Sequence, residues 1–275
     1  MVQTNGSQDN LFLRARECLC ETSTESKLGL AGRLREDWEQ GRLQVVSMEL
    51  PDVREAGRPE SPELVLPRQL KRRSLASPEG RLALIHAVTH IEFNAINLAC
   101  DHLFRFQDMP RDYYRDWIQV AAEEAEHFRL LRDRLRAAGR DYGAFPAHNG
   151  LWDMAMRTAH DPLVRMALVP RMLEARGLDV TPAMIERFEA TGDRETVAAL
   201  SLILREEVGH VAMGSRWFSH LCQERGLDPE ATYFDLLENF LDGRMRCPLH
   251  REARRQAGFS ERELKRLETM CKKSS

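Results

Sequence analysis

The chain has 275 residues, of which 43% are apolar and 30% charged, with 12 Pro and 16 Gly. Those proportions exclude a disordered, collagenous or low-complexity protein, and the length allows a full core without disulfide staples. No run approaches 18 apolar residues, so no membrane helix is expected, and the start MVQTNGSQDN has neither the basic nor the apolar region of a signal peptide. A cytoplasmic protein is the expectation. Six scattered cysteines (Cys18, Cys20, Cys100, Cys222, Cys247 and Cys271) form no CxxC pair. That predicts reduced thiols rather than a zinc site or a disulfide framework. The net charge of −3 hides an asymmetry. Residues 1–75 carry 12 basic and 12 acidic side chains, residues 244–275 carry 10 and 4, and −9 is left for residues 76–243.

Residues 9–41 read as helical, and residues 42–76 as a Pro-spaced extended segment that wraps the rest. Ser77-Pro78 is an N-cap followed by Pro at the first helical position, opening a run to Phe106. A second helix follows Met109-Pro110 and ends at Ala138, before Gly139. Residues 140–160 form a looser crossover. Asp161-Pro162 opens a third helix that falters at Gly177, and Thr181-Pro182 restarts a short segment. The fourth long helix runs from Arg194 to Arg225, stopped by Gly226. Asp228-Pro229 opens a helix to Leu241, and Ser260 with Glu263 forms a capping box for the last one. Almost nothing alternates with period two, so the chain is all-α, and four long helices with one long crossover predict a four-helix bundle.

Two Glu-x-x-His motifs stand out, Glu124 with His127 and Glu207 with His210. Each alone is weak, since exposed Glu and ordinary core His are common. Their placement gives them weight. Trp117, Val120, Ala121, Glu124, Phe128, Leu131 and Leu135 share one helical face, and Leu200, Ile203, Glu207, Val211, Gly214, Phe218 and Leu221 share another. Charged groups on a core stripe are costly unless paired or coordinated. The other two helices each offer one such glutamate, Glu92 and Glu174.

Helical rise decides whether the four positions can meet. From Glu92 the first helix descends about 14 residues, and the second climbs about 13 to Glu124, so at about 1.5 Å per residue both carboxylates reach one height. Separations of 32 (Glu92 to Glu124) and 33 (Glu174 to Glu207) make the two halves a pseudo-repeat. Four carboxylates and two imidazoles at one level is the donor set of ferritin-like di-iron and di-manganese carboxylate proteins. Hard anionic oxygens with His and no Cys suit iron or manganese over zinc.

Other residues carry weaker signals. His86 and His90 are spaced to chelate but project away from the face of Glu92, which favours packing or hydrogen bonding. Arg171 stands three residues before Glu174 and is placed to pair with it, or to face solvent. Pro170, inside a helix, bends the axis one turn before a proposed ligand, or is merely tolerated. Tyr113 lies about 16 Å along the helix from Glu124, too far to coordinate. The basic tail (Arg254, Arg255, Arg262, Lys265, Lys272, Lys273) reads as a solvated terminal helix, with phosphate contact as the alternative.

The runs SLASPEGRLALIHAVTHIEFNAINLA, EEAEHF, LVPRMLEARGLDVTP, REEVGHVAMG and REARRQAGFS, spread over residues 70–260, resemble an uncharacterised family of the ferritin-like superfamily. More distantly, the Glu and Glu-x-x-His repeat is similar to that of tRNA hydroxylases acting on a prenylated adenosine. The resemblance implies a dimetal-binding bundle over residues 76–226, flanked by an N-terminal part, 1–75, and a C-terminal extension, 227–275. Residues and resemblance together lead to an expected di-iron carboxylate oxidoreductase, with metal ligands Glu92, Glu124, His127, Glu174, Glu207 and His210. Such an enzyme would act on a small-molecule substrate and draw electrons from a reductase or ferredoxin, as a monomer or homodimer away from membranes. The alternatives are a ferroxidase or iron-binding protein, a tRNA-modifying hydroxylase supported only by the basic tail, and a non-catalytic helical scaffold.

Overall fold

A computed structural model describes residues 9–71, 73–241 and 247–273. Residues 1–8, Arg244 and Arg246, and the side chains of Lys272 and Lys273, to which the readings of the chain start and the basic tail extend, lie outside the described residues. Among the described residues the fold is all-helical, with two isolated bridges and no strand. No described helix is long and apolar enough to cross a membrane. The chain divides into two compact units, residues 1–156 and 157–275.

The first unit holds α1 (Leu11–Cys20), α2 (Thr24–Glu39), α3 (Pro78–Arg105), α4 (Arg111–Ala137) and nearly all of α5 (Gly150–Arg157). The punctuation acts as its chemistry dictates. Ser77 caps α3 by accepting the Gly80 N–H, and Gly139, at φ 73°, supplies the left-handed residue that ends α4. Asn10 and Ser23 cap α1 and α2 in the same way. Between α3 and α4 lies a core of Ile96, Leu103, Phe128 and Leu131, each 0% exposed, and each such side chain stabilises by roughly 1.5–3 kcal/mol. Lys27 of α2 is fully buried and donates to the Cys18 and Leu19 carbonyls, at 2.9 and 3.0 Å, in the last turn of α1, where a cation meets the helix dipole.

Residues 42–71 are extended, as the prolines predicted, apart from one tight turn at Pro67–Gln69. The strap is fastened to the helices at several points. Arg105, at the end of α3, binds Asp52 at 2.9 Å and the Val53 carbonyl at 2.8 Å. Gly57 N donates to the Leu19 carbonyl, and Trp152 of α5 donates to the Arg54 carbonyl. Helix α5 itself forms inside the stretch expected to be a looser crossover. Its fully packed Trp152 and Ala155 give it the buried side that a short helix needs.

The second unit holds α6 (Pro162–Leu168), a π-helical turn (Val169–Glu174), α7 (Ala175–Glu189), α8 (Arg194–Glu224), α9 (Pro229–Leu241), α10 (Arg251–Gln256) and α11 (Glu261–Lys273). Pro170 has no N–H to donate one turn back, and the ladder absorbs the defect as a π turn. The third helix does not falter at Gly177 or restart at Pro182. Helix α7 runs through both, because burial of Ala175, Leu178 and Phe188 outweighs the local propensity of two breakers. Gly214 on α8 accommodates the bulge: a Cβ there would sit 2.4 Å from Pro170 Cβ. Asp193 caps α8 and Gly226, at φ 64°, follows its end. The capping box of α11 is present in both directions, with Glu263 N donating to Ser260 Oγ at 3.1 Å and Ser260 N donating to Glu263 Oε2 at 2.7 Å.

The expectation of reduced thiols fails at two positions. Cys247 and Cys271 are disulfide-bonded, with Cα atoms 5.8 Å apart. Residues 24 apart in sequence carried no CxxC signal, and only the return of α11 brings them together. Closing a loop of this length stabilises by about 3 kcal/mol in the chain-entropy account. The Cys247→Ser, Cys271→Ser double variant is therefore expected to unfold at lower temperature by that equivalent, and reductant should lower the wild-type midpoint but not the variant's.

Candidate metal centre

Two helices of the first unit build a buried cluster. Glu92 lies mid-way along α3, and Glu124 and His127 lie one turn apart on one face of α4. All three are buried, at 4%, 1% and 0% exposure. His127 Nδ1 stands 3.3 Å from Glu92 Oε2 and 3.3 Å from Glu124 Oε2. Ligand atoms of the three residues lie within 4.8 Å of one another, close enough to hold a metal ion.

The electrostatics of this group follow from burial. Loss of water, then the neighbouring charge of Glu124, raises the Glu92 carboxyl to about 8, against the pull of His127. Burial disfavours a charge on His127, but the hydrogen bonds its ring donates to Glu124 and Glu92, and their charges, overcome it and carry the imidazole up to about 11. Two carboxylates share one imidazole in a dry interior, and a cation is the natural complement.

The second unit repeats the local geometry on α8. His210 Nδ1 is 3.3 Å from Glu207 Oε1, the same separation at the same i, i+3 spacing as in the other motif, and His210 is buried at 1% exposure. Glu174 closes the π turn and stands immediately before α7. The spacing arguments thus place Glu92, Glu124 and His127 together in one unit and pair Glu207 with His210 in the other.

Arg171 does not pair with Glu174. It is 2% exposed and bonds Glu263 of α11 at 2.7 Å, with its guanidinium 4.3 Å from the Tyr233 ring centroid and 4.6 Å from that of Phe259. The partner lies 92 positions away in sequence, which local spacing could not reveal. Arg254 is likewise buried, and its guanidinium bonds both oxygens of Asp179 on α7, at 2.9 and 2.8 Å. Other cations of the basic tail are also engaged. Arg255 meets Glu252 and Glu261, Arg251 meets Glu268 and Glu261, and Arg266 meets Glu238. The described arginines of the tail therefore form internal ion pairs, and Arg254 presents no charge to solvent.

His86 and His90 pack and hydrogen-bond rather than chelate. His86 Nε2 accepts the Gly143 N–H at 2.9 Å and the ring stacks on Tyr142, while His90 Nδ1 lies 2.7 Å from the Tyr142 hydroxyl. Burial lowers both imidazoles to about 4, so they are neutral at neutral pH. Tyr113 is fully buried.

Residues 20–265 match the family described as "Protein of unknown function (DUF455)". An uncharacterized protein of Haemophilus influenzae (strain ATCC 51907 / DSM 11121 / KW20 / Rd) is 42% identical over 235 residues, covering 81% of this chain and 82% of its own. No solved structure matches the chain. A match over most of the length, with a relative of this identity, places the chain as a member of the DUF455 family.

Proposed function

We propose that the protein is a dimetal carboxylate enzyme of ferritin-like architecture, an oxygen-activating oxidoreductase. Residues 76–226 form its bundle, 1–75 its N-terminal flank and 227–275 its C-terminal extension. Two ions, iron with manganese as the alternative, are held by Glu92, Glu124, His127, Glu174, Glu207 and His210. The observation that carries this reading is the repeated Glu-x-x-His geometry, with a 3.3 Å carboxylate–imidazole contact on α4 and again on α8. The donor set fits such ions, because buried hard oxygens with one imidazole per motif neutralise and orient hard divalent cations.

When bound, a pair of iron ions supplies the reduction of dioxygen and the oxidation of an organic substrate. The chain's own residues do the rest. Glu92, whose carboxyl burial and the charge of Glu124 raise, would give up its proton to hold a metal, and His127 would offer a ring nitrogen once it is deprotonated. Phe93 and Phe128, next in sequence to Glu92 and His127, pack ring to ring at 5.7 Å and exclude water from that side of the cluster. An electron-donating reductase or ferredoxin would supply the electrons, and the substrate would be a small molecule, in a cytoplasmic monomer or homodimer.

Anaerobic titration of chelator-treated protein with ferrous ion tests the reading. Two ions per chain are expected, followed by a near-ultraviolet absorption on exposure to oxygen. A protein that takes up no ferrous ion refutes it.

A further inference from the structure

The far side of α3 from the acidic cluster carries a second feature. His90, Phe93, Asn94 and Asn97 repeat at helical spacing and, at 100° per residue, the two asparagines lie roughly 140–200° around the axis from Glu92. They form the floor of a cavity of about 260 Å³ in the first unit, closed on one side by Trp152 of α5 and bordered by the strap. At about 30 Å³ per water, that space holds roughly eight waters, so a small organic molecule fits.

The two asparagines are the informative residues. Asn97 is 1% exposed, and its Oδ1 accepts from the Lys27 ammonium at 2.5 Å, which fixes the orientation of the amide. Its Nδ2 makes no hydrogen bond among the described residues, although Asn97 lines the cavity. Asn94, 5% exposed, is oriented in the opposite sense: its Nδ2 donates to the His90 carbonyl at 3.0 Å, leaving Oδ1 as an acceptor on the cavity wall. A donor and an acceptor thus stand three residues apart, about one helical turn, on a cavity wall that Phe93 and Trp152 also line. Trp152 is itself held by its bond to the Arg54 carbonyl. At the exposed mouth, Arg58 and Glu55 bring both signs of charge.

We propose that this cavity is a binding site for a small ligand with a carboxamide-type edge, an N–H beside a C=O. The ligand's N–H donates to Asn94 Oδ1 and its C=O accepts from Asn97 Nδ2, while the aromatic walls cover its plane or its stem. This edge occurs in two kinds of molecule: a carboxamide amino acid, whose zwitterionic end lies between Arg58 and Glu55, and a planar aromatic amide or lactam. The site does not rest on the metal reading, because its polar groups, Asn94 and Asn97, lie on the opposite face of α3 from Glu92.

Calorimetry and thermal shift on the full chain, with L-glutamine, nicotinamide and uracil as probes, test the proposal. At least one probe is expected to bind with a Kd of about 1 mM or tighter, and its carboxylate analogue, L-glutamate or nicotinate, at least tenfold more weakly. Asn97→Asp keeps an oxygen for Lys27, so the variant retains its fold, but it removes the N–H donors and is expected to weaken binding at least tenfold. The surface variant Arg58→Ala separates the sources: it weakens glutamine tenfold and leaves nicotinamide or uracil unchanged. If no probe binds at about 10 mM, or if Asn97→Asp binds as tightly as wild type, the site holds only water and the proposal is overturned.

Discussion

Arg254→Ala is expected to destabilise the second unit by about 3–5 kcal/mol. The guanidinium is buried and bonds both oxygens of Asp179, and removing it leaves that buried carboxylate with only the His250 N–H at 2.8 Å and the partly exposed Arg176 at 3.5 Å. The thermal midpoint should fall by roughly 10 °C or more. Asp179→Ala should cost a similar amount by stranding the arginine. The double variant Arg254→Met, Asp179→Leu should recover much of the loss, because a buried pair replaced by apolar groups of similar volume is often near neutral. If the two single changes were each harmless, or if their effects simply added, the pair would not be the buried unit described. The same measurement on Arg255→Ala is expected to shift the midpoint little, since Arg255 and its partners Glu252 and Glu261 are exposed and water screens them.

Glu124→Ala is expected to lower affinity for ferrous ion by at least about 100-fold, and the stoichiometry from two ions per chain to one or none. Glu207→Ala should do the same if the second motif contributes to the centre. The stability of the metal-free protein separates this from a folding defect. Glu92→Gln removes a charge that burial and Glu124 both disfavour, so the metal-free variant should melt at or above the wild-type temperature while the rise on adding metal disappears. A Glu92→Gln protein that melts lower without metal would mean that the carboxylates serve packing alone. Equal metal uptake by wild type, Glu124→Ala and Glu207→Ala would reject the proposed ligand set.

Both predictions rest on side chains that the sequence made unequally visible. The boundaries of α3, α4 and α8 were legible because caps and stops are local chemistry: Ser77, Asp193, Gly139 and Gly226 act on groups within a few residues. The α4 and α8 motifs were legible for the same reason, since an i, i+3 pair on a helix is fixed by helix geometry alone. Helix α7 was misjudged because Gly177 and Pro182 are local signals that burial elsewhere overrode. Spacing leaves Arg171 open between Glu174 and solvent, and neither holds: a partner 92 residues away gives it a buried, charge-complementary seat. Gly214 stood in plain view on a core stripe, and only its opposition to Pro170 explains why no side chain fits there.

The sequence by itself determined the helical class, the main helix boundaries, the extended strap over residues 42–71 and the two Glu-x-x-His pairs, all of which follow from interactions within about one helical turn or from the periodicity of apolar residues. Only the tertiary structure decided what long-range return of the chain decides. It joined Cys247 to Cys271, locked Arg254 onto Asp179 and Arg171 onto Glu263, and turned the tail's described arginines from a free basic patch into internal ion pairs. It also set Asn94 and Asn97 in opposite orientations on the floor of a cavity. Charge summed along a chain records how many ions there are; which of them meet is fixed by packing, because a buried ion finds its counterion wherever the fold brings one within hydrogen-bond reach.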